Sequence, residues 1–163
     1  MEPLAGLKAS CPSFEWQTAN QSSAAFALGA QGVYMGTRFM ATIESPANVR
    51  IKEAVLKAID SSTVVFARKT GISRCLKNEY TIKHIALESK GASFEEIRDY
   101  ERTCTNLGKW RRVPGGLIGG HIEEGSVPLG AGAGMIKNIL SCSEIIYSIV
   151  EEYKQLTHKL NQL

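Results

Sequence analysis

The chain has 163 residues, of which 44% are hydrophobic and 21% are charged, and its formal net charge is +3 at pH 7. This composition is typical of globular proteins and excludes wholesale disorder, while the length corresponds to one ordinary domain. No apolar run reaches the ~18 residues of a membrane-spanning helix, the mild charge argues against nucleic-acid binding, and a complete (β/α)8 barrel needs roughly 200–250 residues.

The first ordered unit is predicted to be a helix followed by a strand. Residues 1–19 show no sustained period and are expected to be irregular, whereas 21–28 is rich in helix formers and precedes a capping glycine. The apolar segment 32–35 is predicted to be a strand that ends in Gly36 and Thr37. Glycine allows a ligand to approach the backbone closely, and successive N–H groups can bind an anion.

Four further segments follow in chain order: a helix over 47–59, a strand over 63–66, a polar connector over 67–75 and a helix over 76–89. Ser93 and Glu96 then have the spacing of a capping box, which predicts a short helix ending near Arg102. The glycine-containing segment 103–125 is predicted to be a loop. A basic run within it, Lys109 to Arg112 beside Trp110, is interpreted as a solvated surface.

The last part of the chain combines small residues with a long helix. Gly130, Gly132 and Gly134 alternate with alanine, and because the full G-x-G-x-x-G pattern after a strand is absent, close helix packing is favoured over phosphate contact. Ser141 and Glu144 form a second capping box. The helix that follows carries an apolar stripe, made of Ile145, Ile146, Ile149, Val150, Tyr153, Leu156 and Leu160.

The cysteines and histidines show no metal or catalytic spacing. The four cysteines are scattered, and without a C-x-x-C pair or a Cys/His cluster we expect no metal site. With no secretory signal apparent, such thiols suit a reducing cytoplasm. The three histidines, His84, His121 and His158, are expected to be structural or exposed.

Segment 24–39, AAFALGAQGVYMGTRF, closely resembles the C-terminal signature of the nitronate monooxygenase (2-nitropropane dioxygenase) family. That family also contains the FMN-dependent enoyl-acyl-carrier-protein reductases. The resemblance continues in order through ATIES, KEAVLKA, DSSTVV, RCLKN and EEGSV, which begin at residues 41, 52, 60, 74 and 123. It covers residues 20–163.

The resemblance implies an α/β fold, the C-terminal portion of a TIM (β/α)8 barrel with an inserted helical segment over about 70–125. The barrel is expected to be incomplete in this chain, and residues 1–19 are expected to be a non-family, frameshifted or rebuilt start. Segment 32–35 would be the eighth strand. Gly36 and Thr37 would then donate backbone N–H bonds to an FMN phosphate, flanked by Tyr34 and Met35.

Two departures from the family pattern weaken the expected flavin site. The family has a Gly-Gly-Ile/Val-Ala-Asp-Gly loop before the first helix, where this chain has SFEWQTAN at 13–20. Near Gly130 the family's Ala-Gly-Gln is replaced by Leu-Gly-Ala. The family's catalytic histidine lies upstream of this segment, so no catalytic residue is assigned here.

The resemblance implies an FMN-dependent oxidoreductase of the nitronate monooxygenase type, which denitrifies alkyl nitronates. As a fragment, the chain is expected to bind FMN weakly or not at all and to be inactive alone. One alternative is an NAD(P)H-dependent enoyl-thioester reductase of fatty acid synthesis. Another is a non-catalytic remnant or interaction module that self-associates through the open barrel edge. We expect a nitronate or enoyl-thioester substrate and neither nucleic acid nor membrane as a partner.

Overall fold

The structure is a computed structural model that describes residues 19–27, 29–104 and 112–162. The described elements are the helices α1 Ala19–Ala27, α2 Thr37–Met40, α3 Val49–Leu56, α4 Glu79–Ser89, α5 Phe94–Thr103, α6 Arg112–Leu117 and α7 Cys142–Leu160, the strands β1 Thr63–Phe66 and β2 Ser73–Leu76, and a 3₁₀ helix Ala131–Met135. In the described ranges, no helix is both long and apolar enough to cross a membrane.

The two strands form an antiparallel hairpin in which Thr63 is opposite Leu76 and Phe66 is opposite Ser73. β1 confirms the strand predicted over 63–66. β2 corrects the connector predicted over 67–75, because its short polar sequence lacks an alternating apolar pattern and pairing with β1 makes it a strand. The turn between them requires Gly71, whose φ is 140°.

The strand predicted over 32–35 was wrong. This segment belongs to no ladder among the described residues, and the side chain of Tyr34 is 87% exposed. A strand exists only where a neighbour accepts and donates ladder hydrogen bonds, and the described ranges place no such neighbour beside this segment.

Most predicted helices are present with shifted ends. The helices expected over 21–28, 47–59 and 76–89 correspond to α1, α3 and α4, although residue 28 lies outside the described residues. α4 begins at Glu79 because Asn78 caps it, while the preceding residues join the hairpin. The capping box of Ser93 and Glu96 on α5 is confirmed. Within 103–125, α6 corrects the predicted loop. Residues 105–111, which include Lys109, Trp110 and Arg111 of the basic run, lie outside the described ranges.

Two buried clusters hold these elements together. The larger cluster joins α3 to the segment after α6 and contains Ala41, Ile51, Val55, Ala58, Leu76, Val127, Leu129, Ala133 and Ile136. The smaller cluster joins the hairpin to α4 and contains Phe66, Ala67, Cys75 and Tyr80. Because β2 contributes to both, the hairpin connects α4 and α5 to the rest of the described core.

The small-residue segment packs closely, as predicted for Gly134. A Cβ at Gly134 would lie 3.0 Å from the carbonyl carbon of Ile59 and 3.3 Å from the backbone nitrogen of Asp60. The segment forms a 3₁₀ helix that ends at Met135, and Ile136 after it is extended. The glycine therefore lets the 3₁₀ helix contact the backbone of the turn that follows α3.

Helix α7 begins at a cap held by two glutamates. The predicted capping box of Ser141 and Glu144 is confirmed, and both carboxylate oxygens of Glu44 accept from the backbone N–H of Cys142 at 2.9 and 3.0 Å. On the apolar stripe Ile145 is buried, but Ile146 is 53% exposed. α7 packs against α1, where the rings of Phe26 and Tyr153 meet edge to face at 5.4 Å.

Acidification is expected to loosen this cap. The backbone bond from Cys142 lowers the pKa of Glu44, and the hydroxyl and backbone of Ser141 lower the pKa of Glu144. Because folded-state binding depresses both pKa values, the caps contribute above about pH 4.3 and are lost as the pH falls through the lowered values. An acid titration followed by the NMR amide signals of Ser141 and Cys142 measures this.

Glu144→Gln is the control for the acid titration, since an amide oxygen still accepts from Ser141 but does not titrate. In this variant the Ser141 signal should lose its acid transition, while the Cys142 signal, which reports Glu44, should keep it. Amide signals that do not move between about pH 5 and about pH 2 in the wild type contradict the assignment.

Candidate functional site

The predicted phosphate cradle lies at the start of α2. Gly36 precedes this four-residue helix with φ −97° and ψ −75°, and no side chain caps it. The first N–H groups of a helix have no partner within it, and no acceptor among the described residues takes a bond from the N–H groups of residues 36–39. These four N–H groups therefore have no acceptor among the described residues, and of the four residues Gly36 is exposed, Phe39 is half-buried, and Thr37 and Arg38 are buried.

The space at Gly36 is open. A Cβ built on this residue meets no heavy atom of the described residues within 4 Å, and the residue itself is exposed. Its φ lies outside the left-handed region, so the fold does not require glycine here. Because glycine has no side chain, a ligand can approach the N–H groups from solvent at this position.

Thr37 anchors the cradle to the 3₁₀ segment. Its side chain is 4% exposed, and its Oγ1 accepts a 3.0 Å hydrogen bond from the backbone N–H of Gly130. The hydroxyl proton remains available to donate to an acceptor oxygen of a ligand. The sequence favoured close helix packing over phosphate contact for Gly130. In the structure, its backbone N–H holds the Thr37 side chain in place.

Arg38 adds a buried positive charge beside the cradle, and the sequence analysis did not single it out. Its residue is 6% exposed, with Nη1 donating to the Asn138 carbonyl at 2.9 Å and Nη2 to the Asn138 Oδ1 at 2.8 Å. Within the described ranges no carboxylate lies within ion-pair distance of Arg38. Desolvation lowers the pKa of Arg38, as expected for a buried charge without an anion beside it.

The remaining predicted site residues lie ahead of the cradle. Tyr34 is almost fully exposed, and Met35 is half-buried. They stand in the segment that leads into Gly36 without forming a strand. The structure therefore brings Gly36 and Thr37 together with Arg38, Gly130 and Asn138, and leaves Tyr34 open to solvent.

Residues 127–130, which include the Gly130 that binds Thr37, are themselves hydrogen-bonded to the β1–β2 hairpin. Leu76 donates its N–H to the Val127 carbonyl at 2.9 Å, and Leu129 donates to the Arg74 carbonyl at 3.3 Å. Cys75 and Pro128 form an antiparallel bridge between them. β2 thus positions residues 127–130, which in turn hold Thr37.

The other chemistry-bearing residues lie elsewhere. His84 is fully buried between α4 and α5, whereas His121 is half-buried and His158 is exposed. Cys75, Cys104 and Cys142 are free thiols, and the fourth cysteine lies outside the described residues. No group of three or more His, Cys, Asp or Glu residues within the described ranges could hold a metal ion.

Comparison with known proteins finds a matching family and several relatives of this chain. The family model described as Nitronate monooxygenase matches residues 17–152. A 5-hydroxy-7a-methyl-1-oxo-octahydro-1H-indene-4-carboxyl-CoA dehydrogenase from Mycobacterium tuberculosis is 29% identical over 165 residues, covering 78% of this chain and 44% of that protein. A protein described as "Probable nitronate monooxygenase" from Staphylococcus haemolyticus is 48% identical over 54 residues, covering 32% of this chain and 15% of that protein.

Solved structures show the same likeness over most of the chain. FabK from Thermotoga maritima matches with a TM-score of 0.77 and 32% identity, covering 90% of this chain and 44% of the FabK chain. The M276A mutant of the same FabK matches with a TM-score of 0.71 and 31% identity, covering 90% of this chain and 42% of the mutant chain. The chain thus has the mixed α/β architecture of these proteins and spans less than half of their length.

Proposed function

Because this chain belongs to the nitronate monooxygenase family, we propose that it forms the phosphate end of a flavin mononucleotide site in an FMN-dependent oxidoreductase. The N–H groups of residues 36–39, which have no acceptor among the described residues, carry this proposal. An FMN phosphate is a dianion with several acceptor oxygens, and a turn of converging N–H groups is the arrangement that binds one.

The residues present fit a phosphate. The absence of a Cβ at Gly36 leaves room for oxygens to reach the backbone. Thr37 fixes the turn through Gly130, and its hydroxyl proton is available as a further donor. The buried Arg38 charge, which lacks an acidic partner in the described ranges, favours an anion nearby by Coulomb attraction. The family's loop before α1 and its glutamine near Gly130 are replaced here, so we expect weak binding by the isolated chain.

When bound, the flavin supplies the redox chemistry, and the protein supplies position and electrostatics. For the substrate we propose an alkyl nitronate, as the family and the Staphylococcus haemolyticus relative suggest. A thioester substrate is the second candidate, because the Mycobacterium tuberculosis relative acts on a carboxyl-CoA compound. The free thiols Cys75, Cys104 and Cys142 support a reducing compartment such as the cytoplasm as the place of action.

Gly36→Ala tests the cradle directly. The added methyl group meets no atom of the described part of the chain within 4 Å, so the melting temperature should not change, but it occupies the approach used by the phosphate. We expect at least about a tenfold weaker affinity for FMN, which corresponds to about 1.4 kcal/mol. NMR titration of the labelled chain with FMN measures this even when binding is weak, and riboflavin, which lacks the phosphate, should not shift the signals of residues 36–39.

Gly32→Ala is the matched control, because a Cβ at this exposed glycine also meets nothing within 4 Å and lies outside the cradle. It should bind FMN as the wild type does. FMN that leaves the signals of residues 36–39 unmoved, or equal weakening in both variants, would overturn the proposed site. Flavin co-purifying at about one per chain would contradict the expected weak binding.

The substrate class needs a protein that holds flavin. A longer family protein containing this segment, loaded with FMN, should consume oxygen with an alkyl nitronate and should not oxidise NADH with a crotonyl thioester. The reverse outcome favours the thioester reductase. Loss of either activity in the Gly36→Ala variant, with retention in Gly32→Ala, would connect the activity to the cradle.

A further inference from the structure

The guanidinium of Arg38 is held by the two oxygens of a single neutral residue. Its Nη1 donates to the backbone carbonyl of Asn138 at 2.9 Å, and its Nη2 donates to the side-chain Oδ1 of Asn138 at 2.8 Å. Arg38 is 6% exposed, whereas Asn138 is exposed. Asn138 therefore offers arginine two acceptors at once, an arrangement that a carboxylate usually supplies.

The difference between an amide and a carboxylate at this position is one of charge. An amide oxygen accepts a hydrogen bond but carries no net charge, whereas a carboxylate would form an ion pair with Arg38 and cancel most of its attraction for other anions. Asn138 thus fixes the guanidinium and leaves its positive charge uncompensated. Burying such a charge costs free energy, which a bound anion would offset.

The charged residues along the same two segments do not supply this anion. Lys137, directly before Asn138, is a further cation and is exposed. The first acidic residues that follow Arg38 and Asn138 in the chain are Glu44 and Glu144, and both accept hydrogen bonds from the backbone at the start of α7. Within the described ranges, neither lies within ion-pair distance of Arg38.

The segment that carries Asn138 is attached to the chain on both sides of Arg38. Before Arg38, the Thr37 Oγ1 accepts from the Gly130 N–H at 3.0 Å. After it, the Ile43 N–H donates to the Leu140 carbonyl at 3.1 Å. Since Arg38 is itself one of the four cradle residues, its charge is held within one side-chain length of the cradle N–H groups.

Starting from the proposed flavin site, we propose that Asn138 is a positioning residue for the flavin phosphate, because it holds the Arg38 charge at the cradle without neutralising it. The backbone N–H groups bind phosphate oxygens by direct contact, and the guanidinium attracts the dianion as a whole. Together the two residues favour FMN over flavins that lack a phosphate.

Asn138→Asp tests this role, because it keeps both hydrogen-bond acceptors and adds only a negative charge. The exposed aspartate is ionised at pH 7, and its ion pair with Arg38 should leave the melting temperature unchanged or raise it. We expect about a tenfold weaker affinity for FMN in an NMR titration, since the new charge repels the phosphate and offsets Arg38. If Asn138 only braced the cradle, the variant would bind FMN as the wild type does or more tightly.

Gln155→Glu is the matched control for net charge, because Gln155 is exposed on α7 and lies outside the cradle. It should bind FMN as the wild type does. A measurement on the wild-type chain needs no variant: the side-chain Nε–H signal of Arg38 should move on addition of FMN or inorganic phosphate and should not move with riboflavin.

The outcomes separate this role from the flavin site itself. If FMN leaves the wild-type signals of residues 36–39 unmoved, the cradle is wrong and the role of Asn138 fails with it. If FMN moves those signals, the role of Asn138 alone is overturned by any of three results. These are undiminished affinity or a lower melting temperature in Asn138→Asp, equal weakening in Gln155→Glu, and an Arg38 signal that ignores phosphate.

Discussion

Gly125→Ala is expected to lower the free energy of unfolding by about 3 kcal/mol, the upper part of the range for overpacking a close contact. A Cβ at Gly125 would lie 2.5 Å from the Cα of Gly116, 2.6 Å from its nitrogen and 2.7 Å from the carbonyl oxygen of His121. All three atoms are backbone, so no side chain can turn away to make room. The end of α6 and the turn after it would have to separate.

Urea denaturation followed by circular dichroism measures the Gly125→Ala effect. Gly32→Ala serves as the control, because the same methyl group enters open space there and should change stability by less than about 0.5 kcal/mol. Since domains of this size are stable by only about 5–15 kcal/mol, the Gly125 variant should show a clearly lower midpoint. Equal midpoints for the two variants would show that the two backbone segments are not in contact.

Asn78→Ala is expected to cost about 3 kcal/mol, well beyond an ordinary helix cap. The Oδ1 of Asn78 caps α4 by accepting from the Thr81 N–H at 2.9 Å. Its Nδ2 donates to the Gly125 carbonyl at 2.8 Å and also to the Ile122 carbonyl. The side chain is buried, so alanine removes the cap and leaves two carbonyl groups without their donor.

Two comparisons separate these contributions. Ser93→Ala removes the cap of α5, which is exposed, and should cost about 1 kcal/mol. Asn78→Asp keeps the capping oxygen but replaces the donor to the two carbonyls by a second acceptor, so it should be at least as destabilised as Asn78→Ala. A loss no larger than that of Ser93→Ala would mean that the bonds to residues 122 and 125 contribute little. Denaturation midpoints of the three variants decide this.

Local signals in the sequence predicted local structure well. The capping boxes at Ser93 and Ser141 are present because each depends on residues three positions apart. The strand over 63–66 and the helix α3 follow from short apolar patterns. β2 was missed since its identity as a strand depends on pairing with β1, and the predicted strand over 32–35 fails because the described residues give it no partner.

The candidate site, too, was predictable from the sequence only where it depends on residues close together in the chain. Gly36 and Thr37 were identified from the family-like motif, and their place at the start of α2 follows from a short stretch of chain. Arg38 and Asn138 could not be paired from the sequence, because 100 residues separate them and no pattern connects the two. The burial of Arg38 is a tertiary property. A charged residue directly after a predicted anion-binding turn was the one available signal.

The cradle depends on residues made long after it. Thr37 is held by Gly130 and Arg38 by Asn138, contacts that span 93 and 100 positions. During synthesis the Gly36–Thr37 turn leaves the ribosome well before either support exists, and contacts of such long range form late because the intervening loop must first close. A nascent chain halted before residue 130 would carry the whole motif and still lack the geometry that fixes it.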